Sequence, residues 1–95
     1  MTFAAIIEYA PEPAKIAELR PVHRAYLKEL LDKGNLAISG PFTDDTGGLI
    51  VYEAASAEEA ESLMRNDPFF KSGFFVSWKI RPWKIVMASP TVVPA

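Results

Sequence analysis

Cysteine is absent and histidine occurs once. Without cysteine the 95-residue chain has no disulfide, no thiolate nucleophile and no Cys-based zinc or iron–sulfur site. One histidine also rules out a multi-histidine metal site within a single chain, so no metal is expected. A basic surplus is missing too: 10 Lys and Arg stand against 12 Asp and Glu, for a formal net charge of -2. Nucleic acid and anionic lipid surfaces are bound through surplus positive charge, so no nucleic acid and no membrane is expected as a partner. No apolar run approaches the ~20 residues that cross a bilayer. The opening residues Met1 to Glu8 carry no basic leader and meet Glu8 too early for a signal peptide, so a cytoplasmic location is the expectation. Phosphate- and dinucleotide-binding glycine motifs are also lacking, so no cofactor is expected.

What is present is apolar. Hydrophobic residues make up 49% of the chain and aromatics 12%, enough for one packed core at this length and too little chain for two. Phe3 to Tyr9 is a β-prone apolar run, closed by Pro11 and Pro13, and reads as a buried strand. A helix follows, from about Ala14 or Arg20 to Lys33, and stops at Gly34. Pro21 either opens its main part or kinks a longer helix. Leu36 to Ser39 and Leu49 to Glu53 are two strands joined across the turn-rich segment Gly40 to Gly48. Ser56-Ala57-Glu58-Glu59 is a capping box that opens a second helix, and Pro68 ends it near Asn66. Phe74 to Ile80 is the last clear strand, with Trp83 to Met87 as a possible edge extension. The expected order is βαββαβ, an α+β ferredoxin-like antiparallel sheet with two helices on one face. Residues 1–87 form the domain, and residues 88–95 read as a loose tail or one that packs on a partner subunit.

This topology gathers one set of polar residues at one sheet edge: His23, Ser39-Gly40-Pro41, Asp44, Asp45 and Asp67. His23 is the distinctive member. At 100° per residue, Tyr26, Leu27, Leu30 and Leu31 fall within about 80° of it, so it sits on the apolar, inward helix face. A buried imidazole needs a hydrogen-bond partner. Asp67 is nearest by topology, then Asp44 or Asp45. Three readings stay open from the residues alone. His23 is a core histidine satisfied by a backbone carbonyl, or it forms a His–carboxylate dyad for general acid–base work, or it binds a ligand. Ser39 stands outside any nucleophile elbow, so its plain reading is strand-end turn chemistry. Phe69, Phe70, Phe74 and Phe75 read first as core, because no basic groove accompanies them.

Several short motifs then occur in one order. They are Arg20-Pro21-Val22-His23 with Tyr26-Leu27, Gly34, Gly40-Pro41, the capped second helix, Asp67-Pro68-Phe69, Gly73 with an aromatic, and Pro82-Trp83. On these residues the chain, over about positions 2–86, resembles the YciI-like (YCII-related) proteins. The resemblance implies a ferredoxin-like dimeric α+β barrel. It implies a site on a His–Asp dyad, falling on His23 and Asp67 and lined by Ser39, Gly40 and Pro41. Arg20 and Phe69 join these as expected substrate contacts. A branch that dehalogenates chlorinated hydroxyquinols implies lyase chemistry on a small cyclic or aromatic substrate. The hairpin here is short where many relatives carry a longer loop.

Two functions follow as expectations. One is a cofactor-free enzyme in which His23 and Asp67 move a proton. The other is a non-catalytic small-ligand or regulatory module with a structural His23. On either view the uncovered sheet face is expected to pair with a second copy, giving a homodimer.

Overall fold

The computed structural model describes residues 1–93. Its elements are β1 (Thr2–Tyr9), α1 (Pro13–Lys33), β2 (Leu36–Pro41), β3 (Gly47–Glu53), α2 (Ala57–Arg65), α3 (Pro68–Lys71) and β4 (Phe75–Pro82). The strands form one antiparallel sheet in the order β2-β3-β1-β4. This is the expected α+β ferredoxin-like sheet with helices on one face, extended by the short helix α3.

Strand parity decides what each face carries. Phe3, Ala5 and Ile7 alternate inward along β1, and Ile50 and Tyr52 do so along β3. They meet Ile16, Leu27 and Leu30 of α1 and Ala60 and Met64 of α2 in one core. Each large side chain buried this way contributes roughly 1.5–3 kcal/mol. The hairpin between β2 and β3 is pressed close to β1. A Cβ on Gly47 would lie 2.1 Å from the Ile7 carbonyl oxygen, so only glycine fits there.

The structure decides or refines three readings of the helix ends. α1 is one helix from Pro13, with Pro21 inside it. Pro21 is exposed and tolerated mid-helix, and His23 stands at the helix centre. The Ser56 side chain accepts from the Glu59 amide at 3.1 Å, but Glu59 reaches the Ala55 amide at 3.4 Å instead of returning to Ser56. Asp67-Pro68 does not merely end α2. It opens α3, with the Asp67 side chain accepting from the Phe69 amide at 2.9 Å and Pro68 in the first turn.

The sheet's other face is partly covered by the chain itself. Ala4 pairs with Val51 and Ile6 with Leu49 on that face, and Ile38 lies opposite Val51. After β4 the chain continues past Trp83, whose amide donates to the Thr2 carbonyl at 2.8 Å, without forming further strand. Trp83, Ile85, Met87 and Val92 then line a cleft with Ile38 of β2, at the opposite sheet edge. Residues 83–93 therefore cross this face. In the segment expected to be a loose tail, the Val93 amide donates to the Ser89 carbonyl at 2.9 Å. Residues 94 and 95 of that tail lie outside the described residues. Among the described residues, no helix is long and apolar enough to cross a membrane.

Candidate active site

His23 is held from two sides. Its Nδ1 lies 2.7 Å from Asp67 Oδ1, and both side chains are buried. Its ring stacks on Phe69, with centroids 3.9 Å apart and planes 3° from parallel. Helix α3 supplies both restraints, because Asp67 caps it and Phe69 sits in its first turn. Asp67 Oδ1 thus accepts twice, from the Phe69 amide and from the imidazole. A carboxylate offers no hydrogen, so Nδ1 carries the proton in this pair. Nε2 is the ring nitrogen that Asp67 does not engage.

Beside the imidazole is a cavity of about 370 Å³ between α1 and the β2 edge of the sheet. His23 and Arg20 line it, together with Ser39, Gly40 and Pro41. Ser39 faces the helix side because it pairs with Ile50, whose side chain is inward. Of the expected site residues, the structure brings these five onto one wall system. Asp67 and Phe69 stand behind the imidazole instead. Phe69 is fully buried and lines no part of the cavity, so it restrains His23 without reaching a ligand. The other two carboxylates are elsewhere. Asp45, with a left-handed φ of 61°, pairs with Arg20 at 3.0 Å. Asp44 accepts from the Thr46 hydroxyl at 2.7 Å and from its amide at 3.1 Å. Those bonds hold the Asp44 carboxyl below its ordinary range.

Three wall residues escaped sequence reasoning. Tyr9, Arg24 and Lys28 also line the cavity. Arg24 and Lys28 follow Arg20 at intervals of four, which places them on one stripe of α1 beside the apolar arc. The signal was in the spacing, but a charged stripe on a helix ordinarily reads as a solvated face. Burial pushes the Tyr9 phenol up, and Arg20 opposes it. Behind the dyad, Asp67 Oδ2 and the Tyr52 hydroxyl are both buried with no partner among the described residues. Burial first, then the neighbouring Asp67, raises Tyr52 well above its ordinary value. Among the described residues, no three His, Cys, Asp or Glu side chains gather in a way that could hold a metal ion.

Chemically, the arrangement is an imidazole with one nitrogen held by a buried carboxylate, on a residue that lines a small cavity. Known proteins share this fold. The dehydrochlorinase TftG of Burkholderia phenoliruptrix, which acts on 5-chloro-2-hydroxyhydroquinone and was solved with 2,5-dihydroxybenzoquinone, superposes with a TM-score of 0.77 at 32% identity. That match covers 88% of this chain and 94% of TftG. Protein YciI of Escherichia coli is 30% identical over 92 residues, covering 82% of this chain and 94% of its own length. The uncharacterized Bacillus subtilis protein YjpA is 40% identical over 63 residues, covering 66% of this chain and 73% of its own. The YCII-related domain model matches residues 1–84, and the chain belongs to that family.

Proposed function

We propose that this chain is a cofactor-free small-molecule enzyme in which His23 is the general acid and base and Asp67 its orienting partner. The observation that carries this reading is the buried 2.7 Å His23–Asp67 pair beside the cavity. With Nδ1–H bonded to the carboxylate, Nε2 takes a proton from a substrate C–H or O–H. The Asp67 charge stabilises the imidazolium that forms. In an isomerisation the imidazolium gives the proton to another atom of the substrate; in an elimination the leaving group departs with its bonding electron pair and the proton passes to it or to water. Arg20 and Ser39 hold substrate oxygens, with Gly40 and Pro41 shaping the wall. The relative TftG acts on a chlorinated hydroxyhydroquinone, which supports a lyase acting on a small, oxygen-bearing ring.

The test compares wild type with His23→Ala on 5-chloro-2-hydroxyhydroquinone and related hydroxylated rings, following chloride release and exchange of ring hydrogens into D₂O. Loss of general acid–base catalysis lowers turnover by about 10²–10⁴-fold while circular dichroism stays native. Turnover that survives the substitution overturns the assignment.

A second reading has its own support. Close stacking on Phe69 and burial of the ring suit a structural histidine in a ligand-binding module. On that reading His23→Ala lowers the melting temperature and no hydroxylated ring turns over even in the wild type.

We also propose a homodimer formed through the sheet face away from the helices. Ile6 stays half-exposed there, and Met87 is 90% exposed on the segment crossing it. Light scattering should read twice the 10.5 kDa chain mass. A monomer at assay concentrations removes this part of the proposal.

A further inference from the structure

The charge of the cavity wall runs against the charge of the chain. The chain carries a net -2, yet Arg20, Arg24 and Lys28 line the cavity and no carboxylate does. The three cations occupy positions i, i+4 and i+8 of α1, where like charges repel one another along a single stripe. Alternating sign at that spacing would stabilise the helix. The stripe itself does so at its far end, where Lys28 is bonded to Asp32 at 2.6 Å, and a neighbouring stripe does so with Lys33 bonded to Glu29 at 2.9 Å. Arg20 is likewise matched, to Asp45 at 3.0 Å. Arg24 has no ion-pair partner among the described residues, and it lies on the wall that also holds His23. Beyond the cations and the polar groups of Tyr9, His23 and Ser39, the wall is apolar, with Leu27, Leu36 and Ile50. At about 370 Å³ the space is near the lower end of small-molecule sites.

We propose that the cavity takes a small organic anion, its charged group bound by Arg24 with Arg20 and its apolar body lying against Leu36 and Ile50. This names the substrate class of the site described above and rests on that reading of the cavity. A guanidinium binds a carboxylate or phenolate through paired, charge-assisted N–H donors, which suits a planar anion better than a point charge does. The anion also removes the repulsion that Arg24 imposes on its helix neighbours. An oxygen anion held there sits beside the imidazole that acts on it.

Benzoate is a suitable probe, with benzamide as its neutral isostere, benzylammonium as the cation and inorganic phosphate as an anion without an apolar body. Because the chain has one histidine, the imidazole resonances of His23 in NMR report occupancy without ambiguity. Benzoate should shift them saturably, about ten-fold more tightly than benzamide, and added salt should weaken it. Phosphate should bind more weakly than benzoate, and benzylammonium should not bind. Arg24→Gln should weaken benzoate by about ten-fold, leave benzamide unchanged, and keep or raise the melting temperature, since it removes a like-charge neighbour. Four results overturn the proposal: benzamide equal to benzoate, phosphate equal to benzoate, no effect of Arg24→Gln on benzoate, or no saturable benzoate shift up to on the order of tens of millimolar. Turnover in His23→Ala tests the acid–base role, whereas this titration reads equilibrium binding. Each can therefore fail without the other.

Discussion

Asp67 makes one oxygen serve two donors. Its Oδ1 caps α3 through the Phe69 amide and holds the His23 imidazole, while Oδ2 stays buried without a partner. Removing the whole carboxyl would strand two buried N–H groups at once. Each stranded donor costs roughly 1–3 kcal/mol, so Asp67→Ala should lose about 3–5 kcal/mol of stability. Asp67→Asn keeps an oxygen where Oδ1 stands and puts an amide where Oδ2 has no donor, so it should lose less than half as much. Urea denaturation of the two variants checks the ordering, and equal losses would show that the double acceptance is unimportant. This residue was half legible in the sequence. The inward helix face picked out His23, and chain topology put Asp67 nearest to it. Arg24 and Lys28 were not legible as site residues. Their spacing is visible, but only the position of β2 reveals that their exposed stripe also borders a cavity.

At the level of elements, periodicity located what was strongly patterned. β1 and β3 carry unbroken β-prone runs, and both fall where the pattern put them. The open or incomplete readings cluster at prolines. Pro21 reads either as a helix start or as a proline within a longer helix, and the longer helix forms, with Pro13 as its first-turn proline. Asp67-Pro68 reads as a terminator for the helix before it, and the same dipeptide is also the N-cap and first residue of the helix after it. That second meaning matters most for the site, since α3 aims both Asp67 and Phe69 at the imidazole. The path of residues 83–93 across the open sheet face was illegible for a different reason. It has no strand or helix period, and its position follows from contacts with β2, which are distant in sequence.

For the molecule as a whole, the three tyrosines give the fold a common alkaline limit. Tyr9, Tyr26 and Tyr52 are all shifted upward from the ordinary phenol value of 10.0. Burial is the largest cause in each case, and the Asp67 charge adds to it in all three. Tyr26 is pushed up to about 12, and its hydroxyl donates to the Leu63 carbonyl at 2.7 Å, tying α1 to α2. Well below pH 10 every phenol is protonated in both the folded and the unfolded chain, so this contribution to stability is fully present. Above pH 10 the unfolded chain releases its phenolic protons while the folded chain keeps them. The unfolded state then binds fewer protons, and stability falls as pH rises toward the folded-state values. Thermal melts should therefore be insensitive to the tyrosines up to about pH 9 and drop steadily above about pH 10. Tyrosinate absorbance followed in the same samples should rise together with loss of the helical signal. If tyrosinate forms near its ordinary value while circular dichroism remains native, the phenols are not buried as a set, and the packing of α1 against β3 around the dyad is looser than described.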